Sequence, residues 1–148
     1  DKLQIKIGEI WEHEPSPDEL VDLLPSSRKD IDEKFAEVTG LMRTLEHPAA
    51  IALATVYLDD AKLMEDFRVA PAAMQIHHAW IGGLLEHTLQ LMKLADAMLP
   101  NYPRLNRDII LFSLFIHDIG KVEELCWDRG FEYTREGNLI GHIARGAM

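Results

Sequence analysis

Three histidines and one aspartate set the chemistry open to this chain. His87 lies in an apolar stretch, His117-Asp118 follows thirty residues later at the end of a second apolar run, FIHDIGK, and His142 sits in LIGHI after a short polar excursion. Two imidazoles and a carboxylate gathered by packed helices can hold a divalent metal. Four candidate ligands within about 55 residues make metal-assisted hydrolysis the leading reading. The run Ile109 to Ile116 is almost wholly apolar, yet the next residues are an imidazole, a carboxylate, a Gly and a Lys. Burying those groups unpaired would cost on the order of several kcal/mol, which a bound cation would offset. The competing reading, that His117 and Asp118 merely cap the helix and pair with each other, carries less weight.

The elements that must position these residues are mainly helical. Leu3 to Ile7 alternates apolar and polar and reads as a short strand, followed by the stiff polar connector Glu14-Pro15-Ser16-Pro17-Asp18. Ser27 is placed to cap a helix carrying Ile31, Phe35, Val38, Met42 and Leu45 at spacings of 4, 3, 4 and 3. His47-Pro48 ends it, and a second helix is expected from Ala49 to about Phe67. A third runs from Met74 to Leu99 and contains Gly82-Gly83, whose cost within a helix, about 1 kcal/mol each, calls for a close approach of a neighbouring helix or a ligand. Asn106 or Arg107 starts a fourth, which reads as buried on all sides. Glu124 to Thr134 alternates around Asp128-Arg129-Gly130 and reads as a hairpin.

With 148 residues and 47% hydrophobic content, the chain accommodates one domain with a real core. It opens at Asp1 and stops at Gly146-Ala147-Met148 in what reads as the middle of a helix, so a fragment of something longer is expected. One cysteine, Cys126, excludes an internal disulfide, and no 18-residue apolar span or signal segment is visible; a soluble cytoplasmic protein with no membrane partner is expected. The net charge of −10 falls almost wholly on residues 1–66, at −9, against −1 for residues 67–148. Such a balance is poor evidence for a nucleic-acid surface built from Lys and Arg.

His87, His117-Asp118 and the HDIGK context resemble the HD-domain metal-dependent phosphohydrolases. More narrowly, APAAMQIHHAWIGGLLEHT, FIHDIGK, CWDRGFEYTREG and LIGHI are similar to the YhaM-type 3'-5' exoribonucleases, in which an OB-fold domain precedes the HD domain. The resemblance runs from about Leu3 to Met148 and is specific around residues 70–91 and 113–143. It implies an all-α HD-domain helical bundle with a small β-hairpin and a remnant N-terminal β strand. Residues 1–12 would be the trailing strand of an OB-like domain, 13–28 a linker, and 29–148 the HD domain, truncated at its C-terminus.

It further implies His87, His117 and Asp118 as ligands of one metal and His142 as a ligand of a second, with Asp118 bridging. The family's late Asp has no counterpart here, so the site would be incomplete. The ion would be Mn, Mg, Fe or Zn, one or two in number. Lys121, one turn beyond Asp118, reads either as a phosphate ligand or as an exposed helix-end lysine. His77 and His78 match the family's paired histidines, which approach the scissile phosphate; as residues alone they would serve as a polar helix start. His13 and His47 read as surface histidines, Trp80 as core rather than a stacking platform, and Cys126 as uninvolved.

The expected activity is 3'-5' cleavage of single-stranded RNA, or DNA, by metal-activated water. The alternative is an HD phosphohydrolase acting on a nucleotide or another small phosphate ester, and a regulatory HD-type module without catalysis is a third reading. Homo-oligomer formation is left open.

Overall fold

The computed structural model describes residues 6–14, 16, 19, 31–74, 78–127 and 131–147. The expected strand and the Ser27 cap lie largely or wholly outside these residues, and the two strand positions that are described, Lys6 and Ile7, carry no strand. Ile31 to Met42 forms α1, whose spaced apolar residues do share one face: Val38 and Met42 are buried, and Ile31 and Phe35 pack against the core from its edge. His47 caps α2 (Pro48–Asp59), its ring nitrogen accepting from the Ala49 N–H at 3.2 Å, with Pro48 supplying a φ suited to a first helical turn.

The helix expected to run unbroken from Ala49 to Phe67 is divided. Asp60 ends α2 in extended backbone, and its carboxylate accepts from the Leu63 N–H at 2.9 Å to start α3 (Ala61–Val69). An aspartate able to accept that N–H stabilises a helix start more than it does a helix interior, so the apolar pattern continues while the backbone turns.

A second correction concerns the helix expected from Met74. Helix α4 begins only at Gly83 and runs to Met98. Gly82 takes a left-handed conformation at φ 79°, which a side chain would disfavour, and a Cβ on Gly83 would stand 1.9 Å from the His78 carbonyl oxygen. The paired glycines therefore serve a turn and a close approach of the chain's own loop backbone, not a helix neighbour or a ligand.

After a 3-10 turn at Leu99–Asn101, Asn106 caps α5 (Arg107–Ile116) by accepting from the Ile109 N–H at 3.0 Å. This helix is not buried on all sides. Leu111 and Phe115 are buried, but Ile109 is 63% exposed. The chain continues through α6 (Lys121–Glu124), β1 (Leu125–Cys126), β2 (Glu132–Tyr133), α7 (Arg135–Ile140) and α8 (His142–Gly146). The strands pair antiparallel as the expected hairpin, Leu125 opposite Tyr133 and Cys126 opposite Glu132.

The protein is thus an all-α bundle with a small β-hairpin. Helix α4 is its centre, packed against α1, α3 and α5. Leu84, Leu85, Met92, Leu111 and Val38 are sealed from solvent, and Phe67 meets Phe115 edge-on at 5.7 Å. Each such side chain contributes roughly 1.5–3 kcal/mol through burial. Among the described residues, no helix is long and apolar enough to cross a membrane.

Candidate metal centre

The centre is built where α5 ends. Phe115 anchors the last turn of α5 in the core, so His117 and Asp118 leave the helix at a fixed point facing α4. His87 projects from α4 one turn beyond its glycine start, and the Lys34–Glu86 ion pair at 2.7 Å ties that turn to α1. Offered donor atoms of His87, His117 and Asp118 lie within 4.8 Å of one another.

Asp118, at 8% exposure, is the hub. Its Oδ2 lies 3.7 Å from His87 Nε2, 3.3 Å from His117 Nε2 and 2.8 Å from Lys121 Nζ, and its Oδ1 lies 3.4 Å from His142 Nε2. Burial alone would raise the carboxyl's pKa, but hydrogen bonds and charge from His117 and Lys121 outweigh burial and hold it well below the usual carboxylate range. Asp118 is therefore an anion at any physiological pH.

The histidines are tuned by the same arrangement. Hydrogen bonding to Asp118 raises His117, helped by the Leu114 carbonyl and opposed by burial. Burial lowers His87, with the Asp118 charge opposing. His117 Nδ1 lies 2.7 Å from the Leu114 carbonyl oxygen, which can only accept, so Nδ1 carries a proton and Nε2 is the atom that faces Asp118, donating to the carboxylate when the ring is charged and offering its lone pair to a cation once that proton is released.

Of the residues singled out in the sequence, His87, His117, Asp118, Lys121 and His142 meet at this one point. His78 is adjacent, its ring 5.4 Å from that of His87 and 4.9 Å from that of Trp80, and its backbone is held at φ 57°, a costly conformation for a non-glycine residue. His77 lies outside the described residues. Trp80 is half-buried beside His78 and not a core residue, whereas His13 and His47 are exposed as expected. Lys121 is not an exposed helix-end lysine: with only 16% of its side chain accessible, it donates to Asp118 and, at 2.8 Å, to the Ala72 carbonyl. Cys126 Sγ faces the Glu132 carbonyl at 3.5 Å, across the hairpin and away from the cluster.

One participant escaped sequence reasoning. Glu124 is buried, and its Oε2 lies 2.8 Å from His142 Nδ1 while its Oε1 accepts from the His142 backbone N–H at 3.1 Å. A second carboxylate six residues after Asp118 was the available signal, masked because Glu123-Glu124 reads as an ordinary solvated pair.

The donor set fits a divalent cation. Metal–ligand bonds of about 2.1 Å place neighbouring ligand atoms about 3–4 Å apart, the range seen around Asp118, and imidazole nitrogen with carboxylate oxygen suits first-row ions and Mg. Fold and site together define an all-α helical domain with a His/Asp cluster that could hold a metal ion. The chain is similar to bacterial proteins named 3'-5' exoribonuclease YhaM. It is 34% identical over 145 residues to one from Listeria innocua, spanning 95% of this chain and 45% of that protein. It is 38% identical over 146 residues to one from Geobacillus sp. strain WCH70, spanning 96% and 44%. Over 83 residues it is 43% identical to one from Listeria monocytogenes serotype 4b, spanning 56% and 26%. The chain thus spans under half the length of these curated relatives. No protein-family model matches the sequence, and no solved structure matches it.

Proposed function

We propose that this chain carries the catalytic HD domain of a metal-dependent phosphodiesterase that degrades single-stranded RNA from its 3' end in the cytoplasm. The observation that carries the reading is Asp118, a buried carboxylate with imidazoles on both oxygens: His87 and His117 beside Oδ2, His142 beside Oδ1. The name shared by the relatives supports RNA and the 3'-5' direction.

His87, His117 and Asp118 would hold one cation, and His142 with the other Asp118 oxygen a second. Divalent ions bound there supply an acidified water and neutralise charge on the phosphoryl oxygens. The chain's own groups do the rest. The Leu114 carbonyl fixes the His117 tautomer, and Asp118 remains anionic without needing a proton to leave. Lys121 has one N–H left after serving Asp118 and Ala72, and offers it to a phosphate oxygen. His78 flanks the His87 side, and by the family resemblance it and His77 would contact the substrate phosphate. Residues 67–148 are nearly neutral, so grip on a long strand comes from the cations and from other parts of the intact protein.

The test is an assay of the intact protein, metal by metal, on single-stranded oligonucleotides with a free or blocked 3' end. Stepwise release of mononucleotides only from the free end is expected. Turnover of free nucleotides alone would overturn the exonuclease and favour a hydrolase of small phosphate esters.

A further inference from the structure

We infer that Glu124 is a positioning residue that makes His142 a metal ligand by fixing both its backbone and its ring tautomer; this rests on the metal reading above. His142 opens the short helix α8, too short to hold its own orientation, so its place must be set by neighbours. Two contacts set it. Gly120, just past Asp118, lies so close to the His142 carbonyl that a Cβ there would stand 2.2 Å from the oxygen. Glu124, at the end of α6, spans the residue with its carboxylate, Oε1 to the backbone N–H and Oε2 to the ring at 2.8 Å.

His142 Nδ1 is shut off from solvent and, among the described residues, makes no well-aligned hydrogen bond, and the Glu124 Oε2, 2.8 Å away, is the acceptor that stands against it. A carboxylate can only accept, and Glu124 stands nearer to Nδ1, at 2.8 Å, than Asp118 does to Nε2, at 3.4 Å, so we assign the proton of the neutral ring to Nδ1. The Nε2 lone pair is then directed at the space beside Asp118 Oδ1, 3.4 Å away. Glu124 is itself held in place. Its backbone carbonyl accepts from the Thr134 N–H at 2.9 Å, and Gly137 packs against that carbonyl with no room for a Cβ, which would stand 2.2 Å from the oxygen. The hairpin and α7 therefore serve the site indirectly by locking Glu124.

The near-isosteric Glu124→Gln separates positioning from bulk. With the amide oxygen on the His142 N–H, its NH2 faces Nδ1 and can only donate, so the ring proton must move to Nε2 and close the lone pair to a cation. Nitrogen NMR of histidine-labelled intact protein, without metal and at a pH where the rings are neutral, should show His142 protonated at Nδ1 in the wild type and at Nε2 in Glu124→Gln. Titration with Mn2+ alone should show the affinity at the His142 side falling 10- to 100-fold in Glu124→Gln, as in His142→Ala, while the site at His87 keeps its affinity. Circular dichroism of each variant controls for folding. A wild-type ring protonated at Nε2, or a Glu124→Gln variant with unchanged tautomer and Mn2+ binding, would overturn the inference. Should the wild type bind no Mn2+, or His87→Ala bind it unchanged, the metal reading itself fails, and the tautomer measurement still decides what Glu124 does.

Discussion

Two buried aspartates stand at the two ends of one helix, and they live differently. Asp108, in the first turn of α5, and Asp118, just past its last, are each 8% exposed, and both carboxyls are held below their usual range. Asp108 is served by backbone: one oxygen accepts from the N–H of His47 at 2.6 Å and of Glu46 at 2.8 Å, tying the corner between α1 and α2 to α5. Asp118 is served by side chains alone, three of them imidazoles on separate segments. Backbone amides cannot rotate away or yield to a cation, whereas imidazoles and an ammonium can. A buried carboxylate held by peptide N–H groups is a structural tie, and one ringed by titratable side chains is a candidate site.

The largest effect should come from breaking the second kind. Asp118→Ala should abolish hydrolysis, by roughly a thousandfold or more, because the variant loses the one group that faces all the candidate ligands. Circular dichroism should show the helical content intact. Activity within a few-fold of wild type would be incompatible with the proposed function.

Gly120→Ala comes next. The added Cβ must push α8 away from Asp118, since the atom it meets is backbone and not the tip of a flexible side chain. We expect Mn2+ binding at the His142 side to weaken at least about tenfold, together with a stability loss of about 1–3 kcal/mol, measurable by titration and by thermal melting.

How much of this was legible in the residues follows from the same contrast. His87, His117, Asp118 and His142 stood out because polar groups at the ends of apolar runs demand an explanation, and the structure brings them together. Asp108 and Glu124 did not stand out, because each sits among other polar residues and acts only through backbone or side chains distant in sequence. The break at Asp60 was hidden by an apolar pattern that continues across it, so periodicity outvoted a capping side chain. The apolar residues just before Gly83 suit a helix, and only the left-handed Gly82 and the press of His78 against Gly83 show why the chain turns there. The hairpin was legible because its strands alternate. Domain boundaries near residues 12 and 28 fall next to or within residues outside the description and stay an expectation.

The structural tie should fail by a different measure. Asp108→Ala strips two backbone N–H groups of their acceptor at a half-buried corner, which should cost about 2–3 kcal/mol and lower Tm by roughly 4–12 °C. Mn2+ affinity at 25 °C should be unchanged, because α5 still ends at the same core residue, Phe115. An Asp108→Ala protein with wild-type Tm, or one that loses its metal before it loses its fold, would erase the distinction between the two aspartates.

The smallest effect is its pH dependence. The His47 N–H lowers the Asp108 pKa most, burial opposes, and the Glu46 N–H and Arg107 add to the lowering. Because the folded carboxyl gives up its proton more readily than the unfolded one, whose pKa is about 3.9, the unfolded chain binds more protons between the two values, and stability rises with pH there. The contribution is complete above the unfolded value and is lost as pH falls through the depressed folded one. Urea melts of wild type and Asp108→Ala should therefore keep a constant gap from about pH 7 down to about pH 5, and the gap should narrow as the pH drops below about 4. Asp118 titrates in both proteins and so cancels from the difference. A gap that widened with acid would mean that the His47 and Glu46 contacts do not favour the charged form, and Asp108 would then stabilise the corner by packing alone.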